Sequence, residues 1–467
     1  MGEIISPKKN KNYECYRETL QSLKIYDRDR GKNMEKQFTI KELGKCIFDN
    51  PRKMHGAVSD EYIPINVSEE FIKACGTEAE NNAKALYFQE AGPREKIFFD
   101  PEKTKVGIVT CGGLCPGLND VIRAIVMELW YGYGVRNIVG IPYGLEGFIP
   151  EKYGHQLLEL TPDFVSTIYM LGGTILGSSR GAQDFDKIAD FLYERGINLL
   201  FVLGGDGTMK AAKAISTAVK EHNLTLSVIG VPKTIDNDIN FVEQSFGFVT
   251  AVDEATKAIA AAHTEAVGMN NGIGIVKLMG RESGFIAAHA TVSLSLVNFV
   301  LVPEAEFVMH GEGGLLPALE ERLIHRHHAV IVVAEGAGQY LMQETGQKDS
   351  SGNIILQDIG LYLQKEIKAY FKERNFPVVI KYIDPSYMVR AVPANADDRV
   401  YCGFLGRLAV DAGMSGKTEM AVSKLMGRYV HLPFELVTRQ RRKLDITSQY
   451  WHSVLAATGQ SKLKGML

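Results

Sequence analysis

Gly204-Gly205-Asp206-Gly207-Thr208 sits between an apolar run, Leu199-Leu200-Phe201-Val202-Leu203, and a helix-forming stretch, Met209-Lys210-Ala211-Ala212-Lys213-Ala214. The apolar run reads as a strand buried on both faces, as in a parallel sheet. A strand that ends in glycines and feeds a helix can cradle a phosphate. The glycines let the backbone approach, and the helix N-terminus offers free N–H groups and a positive dipole end. Asp206 would repel a phosphate unless a divalent cation lay between them, which makes it a candidate Mg²⁺ ligand. A plain strand-to-helix turn with a hydrated Asp is the alternative, and five residues alone do not separate the two.

The same texture recurs along the chain. Val106–Thr110 reads as a second buried strand, Cys111–Asn119 as a glycine-rich loop, and Asp120–Tyr131 carries Val121, Ile125 and Leu129 at helical spacing. Two such loops in one sheet bring their backbone donors to the same C-terminal edge, where open α/β sheets bind ligands. Gly172–Gly181 combines glycines, hydroxyls and one Arg, a composition suited to a polyphosphate. Arg180 is then either an anion ligand or an ordinary surface charge. The apolar stretch Thr225–Val231 runs into Pro232-Lys233-Thr234-Ile235-Asp236-Asn237-Asp238. Its two carboxylates are either a hydrated acidic turn or a general base beside a metal-side carboxylate. Further strands are expected at Gly272–Lys277, Val297–Val302 and Ala329–Val333, and helices at Gly284–Leu294, Gly360–Glu373 and Arg399–Met414. This alternation predicts an α/β chain with parallel sheets in two lobes. Before Asp100, Phe38–Phe48 reads as a short helix and Tyr62–Val67 as a short edge strand, with no catalytic constellation. After Met414 no site is expected.

The chain has 467 residues, 45% hydrophobic and 23% charged, enough for several buried cores. A net charge of −3 gives no excess for nucleic acid. Cys15, Cys46, Cys75, Cys111, Cys115 and Cys402 fit no disulfide framework, and no second ligand pair follows Cys111 and Cys115. Reduced thiols in the cytoplasm are expected, not a zinc site. No apolar run is long enough to cross a bilayer and no signal core is present, so no membrane partner is expected. Met1–Ser6 matches the myristoylation pattern, a short pattern that chance readily supplies.

Together these blocks resemble the phosphofructokinase family. The resemblance runs from Lys105 to Met414. It rests on Cys111–Asn119, Gly172–Gly181, Gly204–Thr208, Pro232–Asp238 and Met279–Arg281, followed by Glu335-Gly336 and Tyr387–Arg390. Each block is weak alone; their order and spacing are specific. The resemblance implies two Rossmann-like lobes with the active site in the cleft between them. Residues 101–238, completed by about 391–440, would form the nucleotide-binding lobe and 239–390 the fructose 6-phosphate lobe. Residues 1–100 would be an N-terminal extension for packing or oligomer contacts, and 441–467 a tail.

The implied reaction moves a phosphoryl group to the 1-hydroxyl of fructose 6-phosphate. Asp236 would be the general base, with Asp206 and Asp238 on the Mg²⁺ side. The Gly112 N–H and Arg180 would stabilise charge on the moving group. Gly181, Gly205, Gly207 and Thr208 would complete the nucleotide site. Thr234, Ile235 and Asp236 would orient the reactive end of the sugar, and Met279, Gly280, Arg281 and Glu335 would line its pocket. Tyr387 and Arg390 would bind the 6-phosphate end, with Lys381, Met388 and Val389 also among the substrate contacts. Bacterial ATP enzymes carry His where Tyr387 stands and Arg where Lys381 stands; both replacements still supply donors. They also carry an Arg, nine residues before the position of Arg281, that enters a neighbouring subunit's site. Here that position is Gly272.

Pyrophosphate-using relatives have Asp in place of Gly207 and Lys at the position of Lys233. Asp would crowd and repel the α-phosphate of ATP, whereas Lys233 is a mobile charge that serves either donor. The combination points to ATP and resembles the trypanosomatid enzymes, which share the Lys-Thr-Ile-Asp-Asn-Asp loop and a long N-terminal extension. A pyrophosphate-dependent enzyme is the alternative. NAD kinases and diacylglycerol kinases share the Gly-Gly-Asp-Gly turn but leave Met279–Arg281 and Lys381–Arg390 unexplained. A non-catalytic regulatory subunit would be expected to lack Asp236, Asp206 or Arg180, and all three are present. The resemblance further implies allosteric control and a homotetramer, or a dimer.

Overall fold

The computed structural model describes residues 38–52, 57–60, 62–66, 85–343, 346–348, 352, 354–460 and 463; Met1–Ser6 lies outside them. Two sheets organise the chain. Their strands are β1 (Lys105–Thr110), β2 (Asn137–Ile141), β3 (Leu158–Glu159), β4 (Leu199–Gly204), β5 (Ser227–Pro232), β6 (Gly272–Leu278), β7 (Phe299–Leu301), β8 (His328–Ala334), β9 (Val379–Ile383), β10 (Met420–Leu425) and β11 (Arg428–Pro433). The seven-stranded sheet has the order β11-β10-β5-β4-β1-β2-β3. It is parallel from β10 to β2, with an antiparallel strand at each edge. The four-stranded sheet, β7-β8-β6-β9, is parallel throughout. Every residue of β4 and β5 is buried, which is why those segments read as unbroken apolar runs.

The principal helices are α1 (Leu118–Met127), α2 (Asp206–Glu221), α3 (Phe248–Val267), α4 (Phe285–Leu294), α5 (Ile359–Glu373), α6 (Ser386–Arg390), α7 (Ala396–Met414) and α8 (Gln449–Thr458). Helices α1 and α7 pack together, with α7 also on β5; α2 lies against β4 and β5, and α3 lies against β6, β8 and β9. Strand register places the loops. Pro232 pairs with Gly204, so the turns after β4 and β5 leave the sheet side by side. Thr110 pairs with Leu203, so the Cys111–Asn119 loop opens at the same edge. In the other sheet Leu278 pairs with Ala334, bringing Met279–Arg281 beside Glu335-Gly336.

Two local expectations change. Phe38–Phe48 is not a helix: Lys41–Glu42 pairs antiparallel with Lys417–Thr418, and Phe48–Asp49 pairs with Lys96–Ile97. Phe38 and Ile40 are buried while Lys41 and Glu42 form ion pairs with Glu419 and Lys417. The side chains around Lys41 therefore follow inter-strand pairing and not a helical face. The helix read at Asp120–Tyr131 begins at Leu118, and its end widens into a π turn over Glu128–Tyr133.

The packing of the two sheets meets at Asp398, which is fully buried near the start of α7. One carboxylate oxygen accepts from the Gly247 N–H at 2.9 Å; the other accepts from the Thr250 N–H at 2.8 Å and its hydroxyl at 2.6 Å. A side chain from α7 thus satisfies the free donors at the N-terminus of α3. Asp398→Ala leaves those donors buried and unpaired and should lower stability by about 3 kcal/mol. Denaturation of the variant at an unchanged midpoint would remove this role.

Candidate active site

The donor-side turns are tight where side chains would collide and open at one place. A Cβ at Gly204 would lie 2.3 Å from the Thr208 hydroxyl, and one at Gly205 3.2 Å from the Lys233 carbonyl. At Gly207 a Cβ would meet nothing within 4 Å. Packing therefore does not require glycine there. Gly112, at φ +83, gives its N–H to the Ser179 carbonyl at 3.1 Å, and Ser178 donates to the Gly112 carbonyl at 2.7 Å. The Gly112 amide is thus engaged with the Gly172–Gly181 loop in this state. The Arg180 guanidinium lies beside Gly113, and Gly181 turns the chain at φ +94. Lys233 is buried and donates to the Gly113 carbonyl. Burial lowers its pKa, Arg180 pushes the same way, and Cys115, Cys111 and Asp236 oppose them. Burial also pushes the Cys111 thiol up to about 12, so it stays protonated. Among the described residues Cys46, Cys111, Cys115 and Cys402 are unbridged.

The carboxylates converge after β5. Thr234 donates its hydroxyl to Asp238 at 2.7 Å and accepts the Asp236 N–H at 3.2 Å. Asn237 takes φ +55, and its side-chain oxygen accepts the Ser245 N–H at 2.9 Å. This left-handed residue separates the two acids in a tight turn, a conformation that Asn tolerates. Oδ1 of Asp236 is buried with no hydrogen-bond partner. Burial raises the Asp236 pKa well above the ordinary carboxylate value, and the charges of Asp238 and Glu335 add to the rise. Asp238 is raised by burial too, opposed by the Thr234 hydroxyl and by Arg441. Asp206 receives Lys210 at 2.8 Å, with Arg441 at 3.8 Å. Arg441 stands 3.6 Å from Asp238 and 3.1 Å from Glu282.

The second sheet contributes the opposite wall. Ser283 donates to the Asp236 carbonyl at 3.1 Å, tying the loop after β6 to the acid turn. A Cβ at Gly336 would fall 1.8 Å from the Arg281 carbonyl, so glycine is required for these two loops to touch. The carbonyl of Gly280, a residue at φ +128, accepts the Gly336 N–H at 3.1 Å. Burial raises the Glu335 pKa, and Lys277, Arg281 and Arg390 pull against it, which places these cations around one acid. Lys277 holds Asp358 at 2.8 Å and Asp384 at 2.9 Å. Asp384 in turn accepts the Ser386 N–H at 3.1 Å, fixing the start of α6. On α6, Arg390 stacks 4.8 Å from the Tyr387 ring centre; Val389 is buried, while Tyr387 and Met388 are exposed. Arg281 donates to the Ile354 carbonyl, and Met279 is half-buried at the loop's start.

Lys381 is not brought to this cluster. It lies opposite Gly274, four residues before the end of β6, and pairs with Glu265 at 3.7 Å. No arginine fits at Gly272 either: a Cβ there would lie 2.1 Å from the Ala266 carbonyl. Arg441, Glu282 and Lys277 lie in this cluster and were not expected there from the sequence. The signal for Arg441 was a basic run, Arg439 to Lys443, in a stretch read as tail. The signal for Lys277 was a charge near the end of an apolar strand.

A family model described as Phosphofructokinase matches residues 105–413. The chain belongs to the phosphofructokinase family. An ATP-dependent 6-phosphofructokinase of Borreliella burgdorferi is 46% identical over 440 residues, covering 92% of this chain and 98% of the relative. Enzymes of the same name from Amycolatopsis methanolica and Trypanosoma cruzi are 44% and 42% identical, covering 90% and 88% of this chain and 94% and 81% of theirs. A pyrophosphate-dependent phosphofructokinase structure from Marinobacter aquaeolei aligns with a TM-score of 0.62 at 18% identity, covering 78% of this chain and 94% of that one. Pichia pastoris phosphofructokinase in the T-state aligns at 0.58 and 21%, covering 77% and 37%. These structures share the fold of this phosphofructokinase; at such identities they speak to nothing finer.

The state of Asp236 has a measurable consequence. Its folded pKa is raised, so the native state loses stability as pH rises from the ordinary carboxylate value up through the raised one. Asp236→Asn carries no such cost. In the presence of EDTA the variant should melt above wild type at pH 7–8, with the gap closing toward pH 4. A gap of constant size across that range would contradict the burial argument.

Proposed function

We propose that this phosphofructokinase transfers the γ-phosphoryl group of ATP to the 1-hydroxyl of fructose 6-phosphate, giving fructose 1,6-bisphosphate and ADP. The observation that carries the reading is Asp236, a buried acid with a free oxygen where the loops of the two sheets meet. Its raised pKa suits a base that must take a proton near neutral pH. As the sugar oxygen bonds to the γ-phosphorus, Asp236 takes the hydroxyl proton and the bond from phosphorus to the departing ADP oxygen breaks. Thr234 holds the acid turn in shape, and Arg180, beside Gly113, would stabilise the negative charge that gathers on the moving group. Glu335 and Arg281 line the pocket of the phosphosugar, and Tyr387 and Arg390 bind its 6-phosphate end, with Met388 also in contact. Residues 101–238 with about 391–440 serve the nucleotide, and 239–390 the sugar.

Asp206 and Asp238 offer hard oxygen donors that fit Mg²⁺. Among the described residues no group of three or more His, Cys, Asp or Glu gathers as a metal site. A pair is the set expected when the remaining ligands are phosphate oxygens and water. Bound there, Mg²⁺ would supply charge neutralisation for the polyphosphate. ATP is preferred over pyrophosphate because the position of Gly207 leaves room beside Asp206 for an α-phosphate. The names of curated relatives at 42–48% identity support the same donor. A cytoplasmic, allosterically controlled homotetramer completes the reading. It accords with the unbridged cysteines and with the lack, among the described residues, of a helix long and apolar enough to cross a membrane.

Purified protein with fructose 6-phosphate and Mg²⁺, assayed in parallel with ATP and pyrophosphate, should turn over ATP with the higher kcat/KM. A higher value for pyrophosphate would overturn the donor assignment. Asp236→Asn should retain substrate binding and lose about 10²–10⁴-fold in kcat. Gly207→Asp, whose side chain enters open space, should fold normally and lose kcat/KM for ATP by at least about tenfold, since it places a charge near the α-phosphate.

A further inference from the structure

The segment Arg439–Leu444 is strapped across the acid turn. Arg441 bridges backbone-to-backbone with Ile239, and the Arg442 N–H donates to the Asp238 carbonyl at 2.8 Å. The Arg442 guanidinium donates to the Glu243 carbonyl at 2.7 Å and stacks 4.7 Å from the Phe285 ring centre. The Leu444 N–H donates at 2.7 Å to Glu304, which also accepts the Gly284 N–H. The strap is therefore fixed to both sides of the cleft. It delivers the Arg441 side chain among Asp206, Asp238 and Glu282.

The three distances are unequal in a way that matters. Glu282, at 3.1 Å, is the anchor, while Asp206 and Asp238, at 3.8 and 3.6 Å, are loose partners. Lys210 is the other cation on Asp206, and it is exposed. A fixed guanidinium held near two carboxylates opposes a bare dication that seeks the same oxygens. It attracts a metal–nucleotide complex, which is net anionic.

We propose that Arg441 is a positioning residue that makes metal entry depend on the nucleotide: it disfavours free divalent cation and favours the metal–nucleotide complex. This rests on the donor-site reading above. It extends the active site into the C-terminal segment.

Two titrations on the full chain test it. In the first, Mn²⁺ alone is titrated into wild type, Arg441→Met and Arg441→Lys, followed by electron paramagnetic resonance. In the second, a non-hydrolysable ATP analogue is titrated at saturating Mg²⁺, followed by calorimetry. Arg441→Met should bind bare Mn²⁺ at least about threefold tighter and the Mg²⁺–analogue complex at least about threefold weaker, because removing one charge acts oppositely on a cation and an anion. Arg441→Lys keeps the charge and should return both affinities to within about twofold of wild type. Shifts in the same direction, as a loosened strap would give, overturn the inference, and so does no shift. If the Met variant fails to fold, Arg441→Gln takes its place with the same expectations. Wild-type turnover with ATP is read separately. Turnover without opposite shifts defeats this inference and leaves the activity standing.

Discussion

A buried carboxyl with an oxygen that finds no partner costs a protein on the order of 1–3 kcal/mol, and Asp236 is such a group. It stays in place because the chain around it is held from several directions. Strand β5 fixes the entry to the turn through its register with β4. Asn237 takes the left-handed conformation and is pinned through Ser245. Ser283 reaches across from the other sheet to the Asp236 carbonyl. No single contact is large, but each removes a way for the acid to swing out to water. The oxygen left without a partner is the one that the proposed reaction uses to take the sugar hydroxyl proton.

Much of this was legible in the sequence for a local reason. Strands buried on both faces leave continuous apolar runs, and glycine-rich exits from them are equally local. β1, β4, β5, β6 and β8 were therefore placed within a residue or two, along with the loops that follow. What escaped depends on partners distant in sequence. The side chains around Lys41 were read as helical, yet they follow pairing with residues near Lys417, on the far side of the chain. Arg441 fell in the stretch where no site was expected, because nothing nearby in sequence shows that an antiparallel bridge to Ile239 brings it to the acid turn. The resemblance put Lys381 among the substrate contacts with Tyr387 and Arg390. Strand β9 sets it opposite Gly274, four residues before the end of β6.

The fold is silent on the donor. A structure named for pyrophosphate and another named simply phosphofructokinase align with this chain about equally well. Discrimination must then come from a few atoms at one turn. Gly204 is glycine because the Thr208 side chain presses on it, so its identity says little about the ligand, and Gly205 sits close to the Lys233 carbonyl. Gly207 is under no such pressure. A residue whose smallness packing does not demand is informative about what occupies the space in front of it, which is why the donor argument rests there.

The charge pattern of the cleft carries the argument one step further. Asp206, Asp236, Asp238, Glu282 and Glu335 would repel one another and any polyphosphate if left bare. Lys210 and Arg441 stand against the acids on the donor side, and Lys277, Arg281 and Arg390 stand around Glu335. The two groups of cations hang from different elements: α2 and the C-terminal strap on one side, β6, its loop and α6 on the other. Cations thus face the acids from both walls. Balance of this kind cannot be built from one loop. That is a physical reason for a chain to bring its C-terminal segment back to an acid turn first laid down two hundred residues earlier.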